Sequence, residues 1–562
     1  MAERRGLFAI VSLAAILHGV AISRSSLPAQ DGLKFIRVAR QFQSAPWADT
    51  IRATDQHPLY PALVGAVEPL VALFAGGDHG PDIWRISAQV VAAGASLLLL
   101  LPLYQITRNL FDRRIATLAV AIYALLPLPA GWGRETLADS VGLCGLMFSL
   151  WLGARAIRDR RWQEGAGAGL AAGLGYLARP EIILAPLALC LAFGILQLGA
   201  IRSRAKTIER EPSDRRLGGF FSTRFGKLGV PSLNPAIVVL ALGALVPVGS
   251  YALVKGEVSE KLALRHATSQ IERSAPVRKA PQWLPAGLDD RRWDFSPKEE
   301  SEHSKIVGWS GAATRIFAQW WRELAGIFAV MFAWGLVRQR FIRSLCPGRD
   351  QKDTGTVERT VLLTFQIIYA IALARHCALL GYLSDRHTLA LVLTSTPWAA
   401  AGTFVCLRGL AVKFGWSPVL SRKLRLGFAA IVVLTIIHFQ LKTTHASRSG
   451  HLEAGKWLAA NAYQGEATLD TRGWASFVAD RSPFDSYDYW HVRQALTDRR
   501  LGYIVVETDE LDARSRRAET LQAMLAFAAE PIRDFPESTR DDAGRVRIYR
   551  FRHPENWKGM LR

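Results

Sequence analysis

Carboxylates and arginines stand together at a few separated places in this chain, each beside a long apolar run. Asp31 is the first, a few residues beyond the apolar segment 6–22, and Lys34, Arg37 and Arg40 follow it at helical spacing. That spacing lines cations along one face of a short helix. A carboxylate among cations stays ionised and can accept a proton from a hydroxyl, although it is a weak base near neutral pH. It could equally orient a sugar, bind a metal or end a helix in solvent. DQHPLYPALVGAVEPL comes next; its His57-Pro58 and Tyr60-Pro61 pairs make a rigid turn, because each proline fixes φ and restricts the residue before it. His57 could donate to a phosphate or sugar oxygen or simply pack in a loop. WGRETLADS places Arg134 beside Glu135, puts Glu135 and Asp139 four residues apart on one expected helix face, and leaves Thr136 to cap that helix. Arg179-Pro180-Glu181 in LARPEI pairs a cation able to clamp phosphate with an acid able to steady it. Tyr382, Asp385, Arg386 and His387 in YLSDRH complete the set.

The elements that must hold these groups are membrane spans. Half of the 562 residues are hydrophobic, and apolar runs near twenty residues recur between charged loops. Spans are expected at 6–22, 84–106, 115–131, 136–154, 165–178, 181–200, 233–254, 318–337, 359–381, 387–407 and 426–440. The first is short, about 26 Å at 1.5 Å per residue. A net charge of +21 would suggest nucleic acid for a soluble protein. Here the excess lies in alternate loops: Arg108 with Arg113-Arg114, then Arg155 to Arg161, then 202–227, Arg338 to Arg343, and Arg408 to Arg425. Short basic loops face the cytoplasm, so the N-terminus starts inside. Loops 23–83 and 255–317, the short turns near 131–136, 177–181 and 382–386, and the tail all face outward. Every acid–arginine group above then lies on one side, where arginine is otherwise disfavoured. The 202–227 loop could touch anionic head groups or be a solvated linker, and the tryptophans of 255–317 suit anchoring at head-group depth. Cys144, Cys190, Cys346, Cys377 and Cys406 show no pairing or metal-ligand spacing.

From about 441 the apolar runs stop. HLEAGKWLAANAY reads as an amphipathic helix, ALTDRR as a helix feeding the buried strand GYIVV, and RVRIYRF as a half-buried strand of period two. A small α/β domain is expected over 441–562, following a membrane domain over 1–440.

These motifs together resemble the GT-C glycosyltransferases of bacteria, glycosyltransferase family 39, which include the lipid A aminoarabinose transferase and the protein O-mannosyltransferases. The resemblance covers roughly 1–440. It rests on Asp31 after the first span, the HPLYP turn, RETLADS, LARPE and YLSDRHTLALV. It implies an α-helical polytopic membrane protein of GT-C type with about eleven spans and a small extracytoplasmic α/β domain. It also implies an enzyme of the bacterial inner membrane that moves a sugar from a polyprenyl-phosphate donor to a lipid, glycan or protein acceptor, usually with inversion. Asp31 would be the catalytic base, with Glu135 at the second acidic position. Arg179 and Arg386 would grip the departing phosphate, and Arg40, His57, Tyr60, Arg134 and His387 are further candidates for contact with donor phosphate or sugar. A divalent cation could take part; no metal ligand set is evident. Many relatives carry a double acid where this chain has Asp31-Gly32, and several show Asp where it has Glu135. The competing readings are a flippase of lipid-linked saccharide and a noncatalytic envelope-assembly protein. A transporter should show matched repeats with helices broken at mid-membrane; no such symmetry is visible.

Overall fold

A computed structural model of the chain describes residues 2–210, 235–256, 308–339 and 355–415, scattered residues of 417–440, and most of 448–552. The loops 202–227 and 255–317 and the segment 426–440 lie largely outside the described residues.

The first span is helix α1 (Ala2–Ser23). The amphipathic stretch after it forms α2 (Gln30–Ser44), with Phe35, Ile36, Val38, Ala39 and Phe42 on its buried face. A short α3 (Trp47–Ala53) leads to α4 (Leu59–Phe74), apolar and too short to cross, as its composition suggests. The membrane part continues with α5 (Pro81–Leu98), α6 (Leu100–Leu110), α7 (Arg113–Leu125), α8 (Pro127–Trp132), α9 (Asp139–Asp159), α10 (Trp162–Tyr176), α11 (Leu184–Arg210) and α12 (Pro235–Lys255). It ends with α13 (Trp309–Glu323), α14 (Ile327–Val337), α15 (Thr356–Leu380) and α16 (Leu389–Lys413).

Among the described residues seven helices are long and apolar enough to cross a membrane, or eight if α13 and α14, bent by 103° at their junction, count as one. Eleven crossings were expected; 426–440 lies largely outside the described residues, and two other segments fall short for local reasons. Segment 115–131 breaks at Leu126-Pro127 into α7, of 13 residues, and α8, of 6. Segment 165–178 yields only the 15-residue α10, about 22 Å long against a hydrocarbon core of about 30 Å. This helix is glycine-rich for a packing reason. A Cβ on Gly165 would stand 2.2 Å from the Ala236 carbonyl oxygen, and one on Gly169 2.1 Å from that of Leu240. Small residues at these positions let α10 and α12 touch backbone to backbone.

The C-terminal unit opens with α17 (Ser449–Asn461) and contains a five-stranded sheet. Its strands are β1 (Ala467–Asp470), β2 (Ser486–Tyr487), β3 (Leu501–Glu507), β4 (Ala529–Phe535) and β5 (Val546–Phe551), in the order β2-β1-β3-β5-β4. β1 pairs with β2 and β3 in parallel, whereas β5 runs antiparallel to β3 and β4. Both strands expected from the sequence are present as β3 and β5; ALTDRR ends in a turn at Arg499 and Arg500, and residues 496–497 lie outside the described set. A five-residue helix, α18 (Trp474–Val478), follows β1 and presses the unit onto α2. There Trp474 Nε1 donates to the Pro28 carbonyl at 2.9 Å, and Arg40 pairs with Asp480 at 2.8 Å.

Candidate functional site

The chain between α1 and α2, the turn before α9 and the turn before α16 meet at one end of the helices around a cavity of about 410 Å³. Asp31 enters it from the first turn of α2, Arg386 from the turn Asp385–Thr388, and Glu135 from the turn before α9. Asp31 Oδ2 and Arg386 Nη2 are 2.8 Å apart, with the carboxylate about half exposed and the guanidinium mostly covered. Trp132, Gln30 and Ser384 share the lining, as does Arg448, immediately before α17.

α2 can lie this deep because residue 32 is glycine. The Ala29 N–H donates to Thr136 Oγ1 at 2.9 Å, and a Cβ at position 32 would fall 1.9 Å from that same oxygen. Thr136 therefore anchors α2 and does not cap α9. The expected helical alignment of Glu135 with Asp139 also fails: residues 133–137 run as a turn and α9 begins at Asp139. Glu135 faces the cavity while Asp139, 4% exposed, faces Arg179.

Arg179 stands behind the cavity, its guanidinium held by Asp139 at 2.9 Å and by Glu181 at 2.6 Å. Gly142, one turn into α9, gives it room; a Cβ there would lie 2.7 Å from Arg179 Cγ. Burial alone would lower the pKa of Arg179, but the Asp139 and Glu181 carboxylates outweigh it and raise it above the ordinary arginine value. Asp139 is also within electrostatic reach of Arg386, so the cluster and the cavity share one field.

The other residues singled out in the sequence lie elsewhere. Arg40 spans Trp84 and Phe477 as well as Asp480, tying α2 to the C-terminal unit. His57 stacks on Tyr251 at 5.4 Å and meets Tyr176 edge-on at 5.1 Å. Tyr60 is fully buried, with its hydroxyl donating to the Ala88 carbonyl at 2.9 Å. Arg134 donates to the Gln440 carbonyl at 3.1 Å. His387 Nδ1 accepts from the Ser384 N–H at 3.2 Å, locking the turn that presents Arg386. Sequence reasoning missed Arg448, which lies some 60 residues beyond Arg386 in a segment with no motif of its own. Burial lowers its pKa to about 10, with Glu135 opposing the change, so it stays cationic at neutral pH. Among the described residues no three His, Cys, Asp or Glu side chains gather as a metal site. The cavity is lined by two carboxylates, Asp31 and Glu135, and two guanidinium groups, Arg386 and Arg448.

Comparison with solved structures sets this geometry in a fold. ArnT from Cupriavidus metallidurans, bound to undecaprenyl phosphate, superposes with a TM-score of 0.54 at 11% identity, over 98% of this chain and 99% of that one. The chain shares the fold of ArnT. The Archaeoglobus fulgidus oligosaccharyltransferase, in complex with Zn and sulfate, matches with a TM-score of 0.48 and 15% identity, over 89% of this chain and 68% of that one. A family model described as dolichyl-phosphate-mannose-protein mannosyltransferase matches residues 82–208, well short of half the chain. No curated protein matches the sequence. A polytopic helical fold shared with ArnT agrees with the fold that the resemblance implies, with seven or eight candidate spans among the described residues against the eleven expected.

Proposed function

We propose that this protein transfers a sugar from a polyprenyl-phosphate-linked donor to a hydroxyl-bearing lipid, glycan or protein acceptor at the outer membrane face, with inversion at C1. The observation that carries the reading is Asp31 paired with Arg386 on a cavity formed where α2 meets the turn before α16. In this reaction the acceptor oxygen attacks C1, the C1–O bond to phosphate breaks, and the hydroxyl proton passes to Asp31. The polyprenyl phosphate leaves with the bonding electrons, and Arg386 neutralises the charge it gains. A phosphate leaving group needs little protonation, so placed positive charge contributes more than acid catalysis. Asp139 and Glu181 hold Arg179 behind this site as a fixed cation. The likeness to ArnT, whose structure contains undecaprenyl phosphate, supports a donor of this class.

The basic residues near loop ends, among them Arg155 and Arg158 in the last turns of α9 and Arg160 and Arg161 just after it, support a cytoplasmic N-terminus and an extracytoplasmic site and C-terminal unit. Reconstituted protein assayed with a panel of polyprenyl-phosphate sugars tests the function directly. Asp31→Asn lowers turnover by about 10²- to 10⁴-fold, the range for loss of a general base, and leaves membrane insertion and melting temperature as in the native protein. Unchanged turnover would remove Asp31 as the base.

A further inference from the structure

The membrane helices do not build the whole cavity. Arg448, immediately before the first helix of the C-terminal unit, lines it together with Asp31, Glu135 and Arg386. Two contacts fix its side chain, and two more fix the ring on which it stacks. Arg448 Nη1 donates to the Pro28 carbonyl at 2.9 Å, and its guanidinium carbon sits 4.2 Å from the centre of the Trp474 ring. Trp474 donates to that same Pro28 carbonyl, and His451 packs edge-on against the indole at 4.9 Å. A guanidinium stacked on an aromatic face loses less freedom on binding an anion than a free one. Pro28 lies three residues before Asp31. The Pro28 carbonyl therefore ties the C-terminal cation to the segment that delivers the carboxylate.

We infer that the C-terminal unit completes the donor site, with Arg448 a second phosphate-binding residue beside Arg386 and Trp474 the residue that positions it. This rests on the proposed polyprenyl-phosphate reading and extends it, giving the C-terminal unit a part in donor recognition. Two cations of separate origin allow the phosphate to be held while Arg386 is shared with Asp31. Arg448 contributes to binding only while the unit is docked on Pro28.

Binding of undecaprenyl phosphate to the full-length protein in lipid nanodiscs tests the assignment, with inorganic phosphate and phosphatidylglycerol as competitors. Arg448→Ala weakens binding tenfold or more, Arg448→Lys restores part of the loss by keeping the charge, and Trp474→Phe falls between native and Arg448→Ala. Melting temperature is measured alongside for each variant. Undiminished binding by Arg448→Ala, with Arg386→Ala impaired, overturns this inference and leaves the proposed function standing. A loss that lysine does not restore, or that only follows a lowered melting temperature, makes Arg448 structural and likewise overturns it. Displacement by phosphatidylglycerol as effective as by undecaprenyl phosphate assigns the cation to bulk lipid and overturns it. Absence of any binding by the native protein overturns both readings together.

Discussion

Two buried ion pairs brace opposite ends of α9. At its start Asp139 holds Arg179; near its end Arg158 pairs with Glu358 of α15, and also with Asp159 at 2.9 Å. Each places an almost fully buried carboxylate against a better-exposed arginine. Their surroundings separate them. Arg179 is shared with Glu181 and adjoins a cavity that holds two more arginines and two more carboxylates. Arg158 adjoins Arg160 and Arg161, which are exposed. A buried pair by itself marks only a joint between helices, because desolvation consumes much of its attraction. What distinguishes the site end is a cavity next to the joint, lined by charges of both signs.

The largest effect is expected from Arg179→Ala, which strands Asp139 and Glu181 without their cation. Removing one partner of a buried pair costs about 3–5 kcal/mol, and the field at the cavity changes with it. Both melting temperature and turnover should fall; loss of one alone would break the proposed coupling of joint and cavity. Gly32→Ala comes second. Its Cβ must push α2 off Thr136, moving Asp31 by roughly 1 Å at a cost of about 10²-fold in turnover. Adding Thr136→Ala should recover part of this, and strict additivity of the two changes would show that the contact is not what limits residue 32.

Glu358→Gln sharpens the contrast from the other end. It should cost about 1–3 kcal/mol of stability through a weakened buried hydrogen bond, while turnover per folded molecule stays at the native value. A turnover defect without destabilisation would show that the far joint also serves chemistry. The smallest effect belongs to His57→Phe, which keeps a ring between Tyr176 and Tyr251. Donor affinity within twofold of native is expected from titration, and a large loss would bring His57 back as a ligand contact.

The sequence revealed the chemistry of single segments better than their meetings. Apolar runs located most of the spans because burial in hydrocarbon acts on each segment alone. Counting apolar runs overstated the crossings among the described residues, because one run splits at Leu126-Pro127 into α7 and α8 and another yields only the 15-residue α10. Asp31 and Arg386 each stood out through their types and positions, yet their pairing joins residues 355 apart. His57, Tyr60 and Arg40 carried equally suggestive side chains that the fold commits to packing and interdomain bonds. Arg448 had no local signal, because its place depends on the docking of α18 against Pro28.

The shortness of α10 reaches beyond the protein. Its outward-facing Leu170 and Leu174 are partly exposed, so that flank offers the bilayer an apolar height of only about 22 Å. Acyl chains meeting it must compress, tilt or give way to neighbouring helices, and each response costs a fraction of a kcal/mol per Å of mismatch. A bilayer around this flank would form an uneven collar, thinner beside α10 than beside the longer helices.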